Sequence, residues 1–317
     1  MKLTVLDGYA ANHDEIMPWN AFAEFGEYEV FDRTPRELVV ERAKESELLL
    51  TNKTVLDAEL IASLPKLRYI GVLATGWNVV DTVAARRAGV VVTNVPAYST
   101  QSVAQLVFAH ILNLCRAVET HARSDWSRAE DFSYSLTPQI ELTGQTLGIV
   151  GFGDIGRAVA GAALAFGMNV VVSTRTPSKI DLPQVRAVSM EELLRTADVV
   201  SLHCPLTKEN AGLMDRAAFA AMKRTAIFIN TARGGLVDEF ALAEALRSGE
   251  IRAAGLDVLC REPPFPENPL LNLPNCRISP HIAWASESAR KRLMKCAVEN
   301  IRAFLNGVPM NVVNGKD

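Results

Sequence analysis

The sequence predicts an α/β protein built from two parallel sheets, each covered by helices, and three observations carry that prediction. Short apolar runs alternate with stretches of helical period along nearly the whole chain, the pattern of strands joined by crossover helices. Glycines at 151, 153 and 156 stand mid-chain between an apolar run and a helical stretch. The length of 317 residues is long for one core and natural for two domains.

Taken in order, apolar runs at residues 3–6, 47–51, 69–73 and 90–93 read as strands, and the stretches near 35–44, 57–63 and 79–88 read as the helices between them. Pro96-Ala-Tyr-Ser-Thr100 is a proline-led turn in which Ser99 or Thr100 caps a long helix reaching about Arg116. The apolar part of that helix, 103–115, is too short for a membrane span and contains Gln105, His110 and Asn113, so it reads as a buried helix. Beyond residue 156 the alternation resumes, with strands near 169–174, 198–203, 225–230 and 252–257. The last helix, about 285–305, follows the second domain and is expected to return to the first. The expected domains are 1–98 plus 286–317, and 99–285, with a ligand cleft between the lobes.

Composition excludes several classes. The chain is 49% hydrophobic and 22% charged with a formal net charge of −3, so it carries no sign of disorder, of a nucleic-acid footprint or of an acidic tail. A small polar metabolite is the expected partner, with no nucleic acid and no membrane. The five cysteines, at 115, 204, 260, 276 and 296, form no C-x-x-C pair and no metal-ligand spacing, and their odd number argues against a closed disulfide framework. They read as reduced thiols of a cytoplasmic protein without a metal site. The N-terminal Met-Lys-Leu-Thr-Val-Leu-Asp reads as a strand with no cleavable leader pattern.

The segment Gln145-Thr-Leu-Gly-Ile-Val-Gly-Phe-Gly-Asp-Ile-Gly156 reads as a dinucleotide site. Gly151 permits the tight turn, Gly153 lets backbone approach a pyrophosphate, and Gly156 lets the helix pack on the strand. The helix N-terminus offers N–H groups and a positive dipole end to the phosphates. A bare G-x-G-x-x-G also occurs in plain glycine turns, but here a strand precedes it and a helix and second strand follow at βαβ spacing. One position departs from the usual pattern. The acid expected at the end of the second strand, which would bind the ribose 2′-hydroxyl, is replaced by Thr174, followed by Arg175 and Thr176. A carboxylate would repel a 2′-phosphate, whereas a hydroxyl and a guanidinium bind it, so NADP(H) is expected in preference to NAD(H). The alternative is that Arg175 points to solvent and both cofactors serve.

Three later segments are more polar than a core requires. Asn230-Thr-Ala-Arg-Gly-Gly-Leu-Val-Asp238 sets Arg233 directly after a buried strand, where ligands bind in open α/β sheets; the alternative is an arginine that caps the next helix through Asp238. Another strand ends with Asp257 and Glu262, and His281 follows Pro280. A carboxylate that hydrogen-bonds an imidazole favours its protonated form and makes an acid/base for neutral pH.

These motifs, with Val5-Leu-Asp-Gly-Tyr, Val72-Leu-Ala-Thr-Gly-Trp-Asn-Val-Val-Asp81 and Pro280-His-Ile-Ala283, occur in the order and spacing of one family. The chain resembles the D-isomer-specific 2-hydroxyacid dehydrogenases, and is most similar to their glycerate dehydrogenase/hydroxypyruvate reductase branch. The resemblance implies two Rossmann-like domains, the substrate domain discontinuous and flavodoxin-like and the nucleotide-binding domain inserted in it. It makes Arg233, Glu262 and His281 the catalytic set. Arg233 would anchor the carboxylate and polarise the ketone, and His281, held by Glu262, would give the proton. By the same resemblance Ala74, Thr75 and Gly76 receive the substrate carboxylate, while Lys53 and Trp284 line its pocket. Cofactor contacts fall to Val103, Gly151, Gly153, Asp154, Ile155, Gly156, Thr174, Arg175, Thr176, His203, Cys204, Pro205, Thr207, Thr231, Ala232, Asp257 and Ala283, with Asp257 holding the nicotinamide carboxamide.

His13, His110 and His121 have no partner pattern and read as structural; Cys260 reads as incidental. A homodimer is implied, through the long helix and the extension 122–142. The expected activity is reduction of hydroxypyruvate or glyoxylate. Other substrates of the family, such as phosphoglycerate or D-lactate, are alternatives. So is a dinucleotide-sensing, corepressor-like role, which the absence of basic or low-complexity flanks disfavours.

Overall fold

The computed structural model describes residues 1–12 and 19–315; His13 lies outside them. The chain divides into two compact units, Met1–Ser99 with Ala285–Asp317, and Thr100–Trp284.

The first unit holds strands β1 (Lys2–Val5), β2 (Glu27–Val30), β3 (Leu48–Thr51), β4 (Tyr69–Val72) and β5 (Val91–Thr93). Their order in the sheet is β2-β1-β3-β4-β5, all parallel, which is the flavodoxin-like order. Strands β3 and β4 are buried at every position, as a parallel sheet covered on both faces demands. β2 escapes a search for apolar runs because it is an edge strand, Glu-Tyr-Glu-Val, with its charges facing water. Asp57 and Asp81 cap the helices Ala58–Ala62 and Thr82–Arg87 through their carboxylates, so these start later than apolar periodicity alone suggests. The stretch near 35–44 is a 3-10 turn, Arg36–Leu38, followed by the helix Val39–Ala43. The helix Glu287–Leu305, capped by Ser286, belongs to this unit: Phe304 packs on Tyr69 with ring centroids 5.0 Å apart, and Asn300 Nδ2 donates to Asn94 O at 2.9 Å.

The second unit holds β6 (Thr146–Val150), β7 (Asn169–Ser173), β8 (Val185–Ala187), β9 (Val199–Leu202), β10 (Ile227–Asn230), β11 (Ala253–Leu256) and β12 (Cys276–Ile278). The order β12-β11-β10-β9-β6-β7-β8 is wholly parallel. It is the doubly wound order, with the chain reversing direction across the sheet between β6 and β9. Alternate residues serve opposite cores: Ile227 and Ile229 of β10 pack with Val107, Ile111 and Val159, while Phe228 packs with Leu193, Leu242 and Phe219. Burying such a side chain contributes about 1.5–3 kcal/mol. β8 and β12 are three-residue strands with exposed arginines, Arg186 and Arg277, too short and too polar for an apolar-run search to find.

Candidate active site

The glycine turn sits at the carboxyl end of β6, at the switch point. Gly151 has φ +94°, and a Cβ there would stand 2.8 Å from the backbone of His203 and Cys204, while one on Gly156 would meet Gly151 O at 2.4 Å. Both glycines are demanded by close backbone packing. A Cβ on Gly153 would meet nothing within 4 Å, and the helix Asp154–Ala165 that Gly153 opens has no side-chain cap. The helix start is therefore open at Gly153 and its first N–H groups carry no side-chain cap, as a phosphate requires. Thr231 Oγ1, buried just beyond β10, has no partner among the described residues. These residues fit a dinucleotide.

Along one side of the turn lie Thr174, half-buried, and Arg175 and Thr176, both exposed; Thr176 N donates to Thr174 Oγ1 at 3.3 Å. The segment after β9 carries His203, Cys204, Pro205 and Thr207. Burial holds the imidazole of His203 well below its ordinary pKa, and the neutral ring bonds Ser201 Oγ at 2.8 Å. Asn210 organises this loop, accepting from Thr207 N at 2.6 Å and donating to Pro205 O at 2.8 Å. Sequence reasoning passed over Asn210, and an Asn shortly after a proline turn was the signal available. Val103 is buried in the helix Thr100–Arg116.

Arg233 follows β10 on a turn stitched by the buried Asn230, whose Nδ2 donates to Arg233 O at 2.9 Å and whose Oδ1 accepts from Ala232 N at 3.0 Å. The arginine is exposed and does not cap the next helix; its Nη1 donates to Ala232 O at 2.6 Å, and Asp238 caps that helix with its own carboxylate. Gly234 then packs on the backbone of Leu259 and Cys260. Leu259 N donates to Glu262 Oε1 at 3.0 Å, and Glu262 Oε2 meets His281 Nδ1 at 2.5 Å. Arg233, Glu262 and His281 are thus linked through one short run of contacts.

His281 adopts φ +54°, a left-handed conformation rare for a residue with a side chain. Asp257 holds it there. Its backbone carbonyl accepts from His281 N at 2.9 Å, and its carboxylate accepts from Ile282 N at 2.9 Å, Ala283 N at 2.8 Å and Ser279 Oγ at 2.6 Å. Burial raises the Asp257 pKa, and those bonds together with His281 oppose the rise. The structure gives this buried residue the task of building the histidine's turn, which the expected nicotinamide contact did not foresee. His110 likewise has a partner, Ser279 Oγ at 3.0 Å, and His121 bonds Ala117 O and Leu136 N. The thiol of Cys260 is pushed up to about 11 by burial and by the nearby Glu239 and Asp238, which leaves no thiolate for chemistry at neutral pH. Trp284 is half-buried beside Ala283.

The remaining expected residues lie in the first unit. Asp7 accepts from the N–H groups of Asn52, Lys53 and Thr54 at 2.5–2.7 Å, and Asn52 Nδ2 donates to Leu73 O at 2.5 Å. The loop 73–76 is fixed from its other side by Val95 N to Ala74 O, Asn94 Nδ2 to Thr75 O and Thr75 Oγ1 to Val95 O, at 2.7–3.0 Å. These bonds use side chains and carbonyls. Among the described residues, the N–H groups of Ala74, Thr75 and Gly76 have no partner.

Residues 108–283 match the family described as D-isomer specific 2-hydroxyacid dehydrogenase, NAD binding domain. A hydroxypyruvate reductase of Blautia hydrogenotrophica is 42% identical over 99% of this chain and 100% of its own length. A glycerate dehydrogenase of Methylorubrum extorquens is 41% identical over 92% of each chain. Among solved structures, an acyclic imino acid reductase in complex with NADPH and D-Arg superposes with a TM-score of 0.87 at 31% identity, covering 99% of this chain and 100% of its own. Among the described residues no helix is long and apolar enough to cross a membrane. With a dinucleotide turn at the switch point, a strand-end arginine and a histidine bound to glutamate, the chain belongs to the D-isomer-specific 2-hydroxyacid dehydrogenases.

Proposed function

We propose that this protein reduces a small 2-keto acid, hydroxypyruvate or glyoxylate, to the D-2-hydroxy acid, with NADP(H) preferred over NAD(H). The single observation that carries the acid/base assignment is the His281–Glu262 bond on a turn held by Asp257. A bound nicotinamide would supply the hydride to the keto carbon. Arg233, always charged, gives charge-assisted hydrogen bonds to the carboxylate and ketone oxygens and draws charge from the carbonyl. His281 passes its proton to the ketone oxygen and takes it back in the reverse direction, while Glu262 holds the ring through Nδ1. The free N–H groups of Ala74, Thr75 and Gly76 receive the substrate carboxylate, and Lys53 and Trp284 border it. The first unit is read as the substrate domain and the second as the nucleotide domain.

Val103, His203, Cys204, Pro205, Thr207, Thr231, Ala232 and Ala283 are read as cofactor neighbours, and Thr174, Arg175 and Thr176 as the 2′-phosphate site. The names of the two relatives support hydroxypyruvate, and the NADPH complex of the structural neighbour supports a fold able to take that cofactor. A homodimer is supported by the exposed Trp126, Phe132 and Leu136 in the extension, and a cytoplasmic location by five free cysteines.

Steady-state kinetics with glyoxylate, hydroxypyruvate, pyruvate and phosphohydroxypyruvate against both reduced cofactors tests the reading. The expected outcome is a higher kcat/KM for hydroxypyruvate than for pyruvate. A preference for pyruvate overturns the substrate, and tight dinucleotide binding without turnover of any 2-keto acid overturns the activity.

A further inference from the structure

Behind the turn of His281 runs a buried polar chain that the proposed chemistry does not use. The helix Thr100–Arg116 lies across β10 and β11, and His110 sits so closely over Gly255 that a Cβ there would stand 2.8 Å from the His110 Cβ. His110 Nε2 is 3.0 Å from Ser279 Oγ, and Ser279 Oγ is 2.6 Å from Asp257 Oδ1. A little over two turns nearer the helix start, on the same side, Ser102 Oγ donates to Ala283 O at 2.6 Å. The helix therefore grips the segment 279–283 at both ends, and His281 lies between the two grips.

Proton placement along this chain is fixed by counting. Ser279 has one hydroxyl hydrogen, and its good acceptor is the Asp257 carboxylate, since Leu256 O is 3.4 Å away. The Ser279 oxygen must then accept from His110, which requires the hydrogen of His110 on Nε2. Burial lowers the His110 pKa, opposed by Asp257, so the ring is neutral and donates once. The groups that act on Asp257 are His281 from the turn and, through Ser279, His110 from the helix; Glu262 faces His281 from beyond.

We propose that His110 is a positioning residue: by donating to Ser279 it commits the Ser279 hydroxyl to Asp257, and Asp257 in turn holds the left-handed turn that aims His281. This rests on the reading of His281 as proton donor. Without the donor at 110, Ser279 is free to rotate, Asp257 loses a bond that favours its ionised form, and it takes up a proton at a higher pH. The N–H groups of Ile282 and Ala283 then lose their charged acceptor, and activity fails as pH falls through that higher value.

The test compares wild type, His110→Phe, His110→Gln and Ser279→Ala in hydroxypyruvate reduction across pH, alongside 15N NMR of the histidine rings. Phe keeps the ring volume without the donor, and Gln keeps a donor. His110→Phe should lose roughly ten- to a hundredfold in kcat, the scale of a misaimed catalytic group, with KM little changed and the low-pH limb moved to higher pH. His110→Gln should restore the limb and most of kcat. Ser279→Ala should behave like His110→Phe, and the double variant should be no worse than either, because all act through one chain.

The wild-type NMR spectrum should show His110 as neutral Nε2–H at neutral pH, whether or not substrate is turned over. A wild-type limb in His110→Phe, additive effects of the two substitutions, or a protonated or Nδ1–H ring at 110 overturns the proposal. A wild-type enzyme inactive on every 2-keto acid overturns the functional reading instead, and the ring spectrum still decides the proton arrangement. If His110→Phe fails to fold, His110→Gln, Ser279→Ala and the wild-type spectrum carry the same decision.

Discussion

Gly234 lies flat against Leu259: a Cβ at 234 would stand 2.0 Å from the Leu259 carbonyl carbon and 2.1 Å from its oxygen. Both partners are backbone, so neither can swing aside. The contact locks the arginine turn to the segment whose Leu259 N–H holds Glu262. Gly234→Ala should cost about 1–3 kcal/mol of stability, the range for overpacking a tight site, and should lower kcat more than KM because it separates Arg233 from the Glu262–His281 pair. Gly161→Ala is the control, since that glycine lies within the helix Asp154–Ala165 with nothing within 4 Å of its added Cβ. It should stabilise by roughly 0.5–1 kcal/mol. Urea melts and steady-state kinetics of both variants check this pair, and equal effects would remove the packing argument.

The parts of this site legible in the sequence are those written as local pattern. The strand, glycines and helix of 145–156, the strand-end Arg233 and the residues Glu262 and His281 each stand beside a turn signal or an apolar run. What escaped was written in distance rather than in order. Asp257 closes hydrogen bonds 22 to 26 residues ahead, and His110 meets Ser279 across a separation of 169 residues, which no periodicity encodes. Strands β2, β8 and β12 escaped for another reason: each lies at or next to a sheet edge or is three residues long, and edge positions carry charge for solubility rather than the apolar run a buried strand displays.

Glu262 and His281 should act as a unit. His281→Ala should lose about 10²–10⁴-fold in kcat, the ordinary contribution of a general acid, while dinucleotide affinity holds, because proton donation acts in the transition state. Glu262→Gln keeps the size of the side chain but removes the carboxylate that meets His281 Nδ1, so the ring loses its anchor and kcat should fall by roughly ten- to a hundredfold, the scale of a misaimed catalytic group, with KM little changed. A kcat equal to wild type would take Glu262 out of the acid/base unit.

Arg233→Lys keeps the charge and should still be severe. One ammonium cannot reproduce a planar fork that serves the carboxylate and the ketone oxygen together. Losing one charged hydrogen bond costs on the order of 1.5–3 kcal/mol, or roughly ten- to a hundredfold or more in kcat/KM for hydroxypyruvate. Rescue by lysine to within a few-fold would reduce the role of Arg233 to simple charge attraction.

The preference for NADP(H) rests on what stands beyond β7. A carboxylate there would bind a ribose 2′-hydroxyl and repel a 2′-phosphate; this chain instead offers the hydroxyl of Thr174, half-buried, and the exposed guanidinium of Arg175. The charge of Arg175 reaches the loop after β9: it contributes to lowering the pKa of Glu209, whose main cause is the bond from Thr207, and it works against the burial that raises Cys204. Arg175 thus lies within electrostatic reach of that loop, and no carboxylate stands at position 174. Arg175→Ala should weaken NADPH by roughly ten- to a hundredfold, the loss of one charged contact, and leave NADH nearly unchanged. Thr174→Asp should shift the preference toward NADH, because the new carboxylate accepts from the ribose and repels the phosphate. The Kd of each cofactor by fluorescence titration, in wild type and both variants, decides the matter. Equal losses for both cofactors in Arg175→Ala, or a wild type that favours NADH, would mean that the guanidinium serves the adenosine face alone and that Thr174 carries no phosphate specificity.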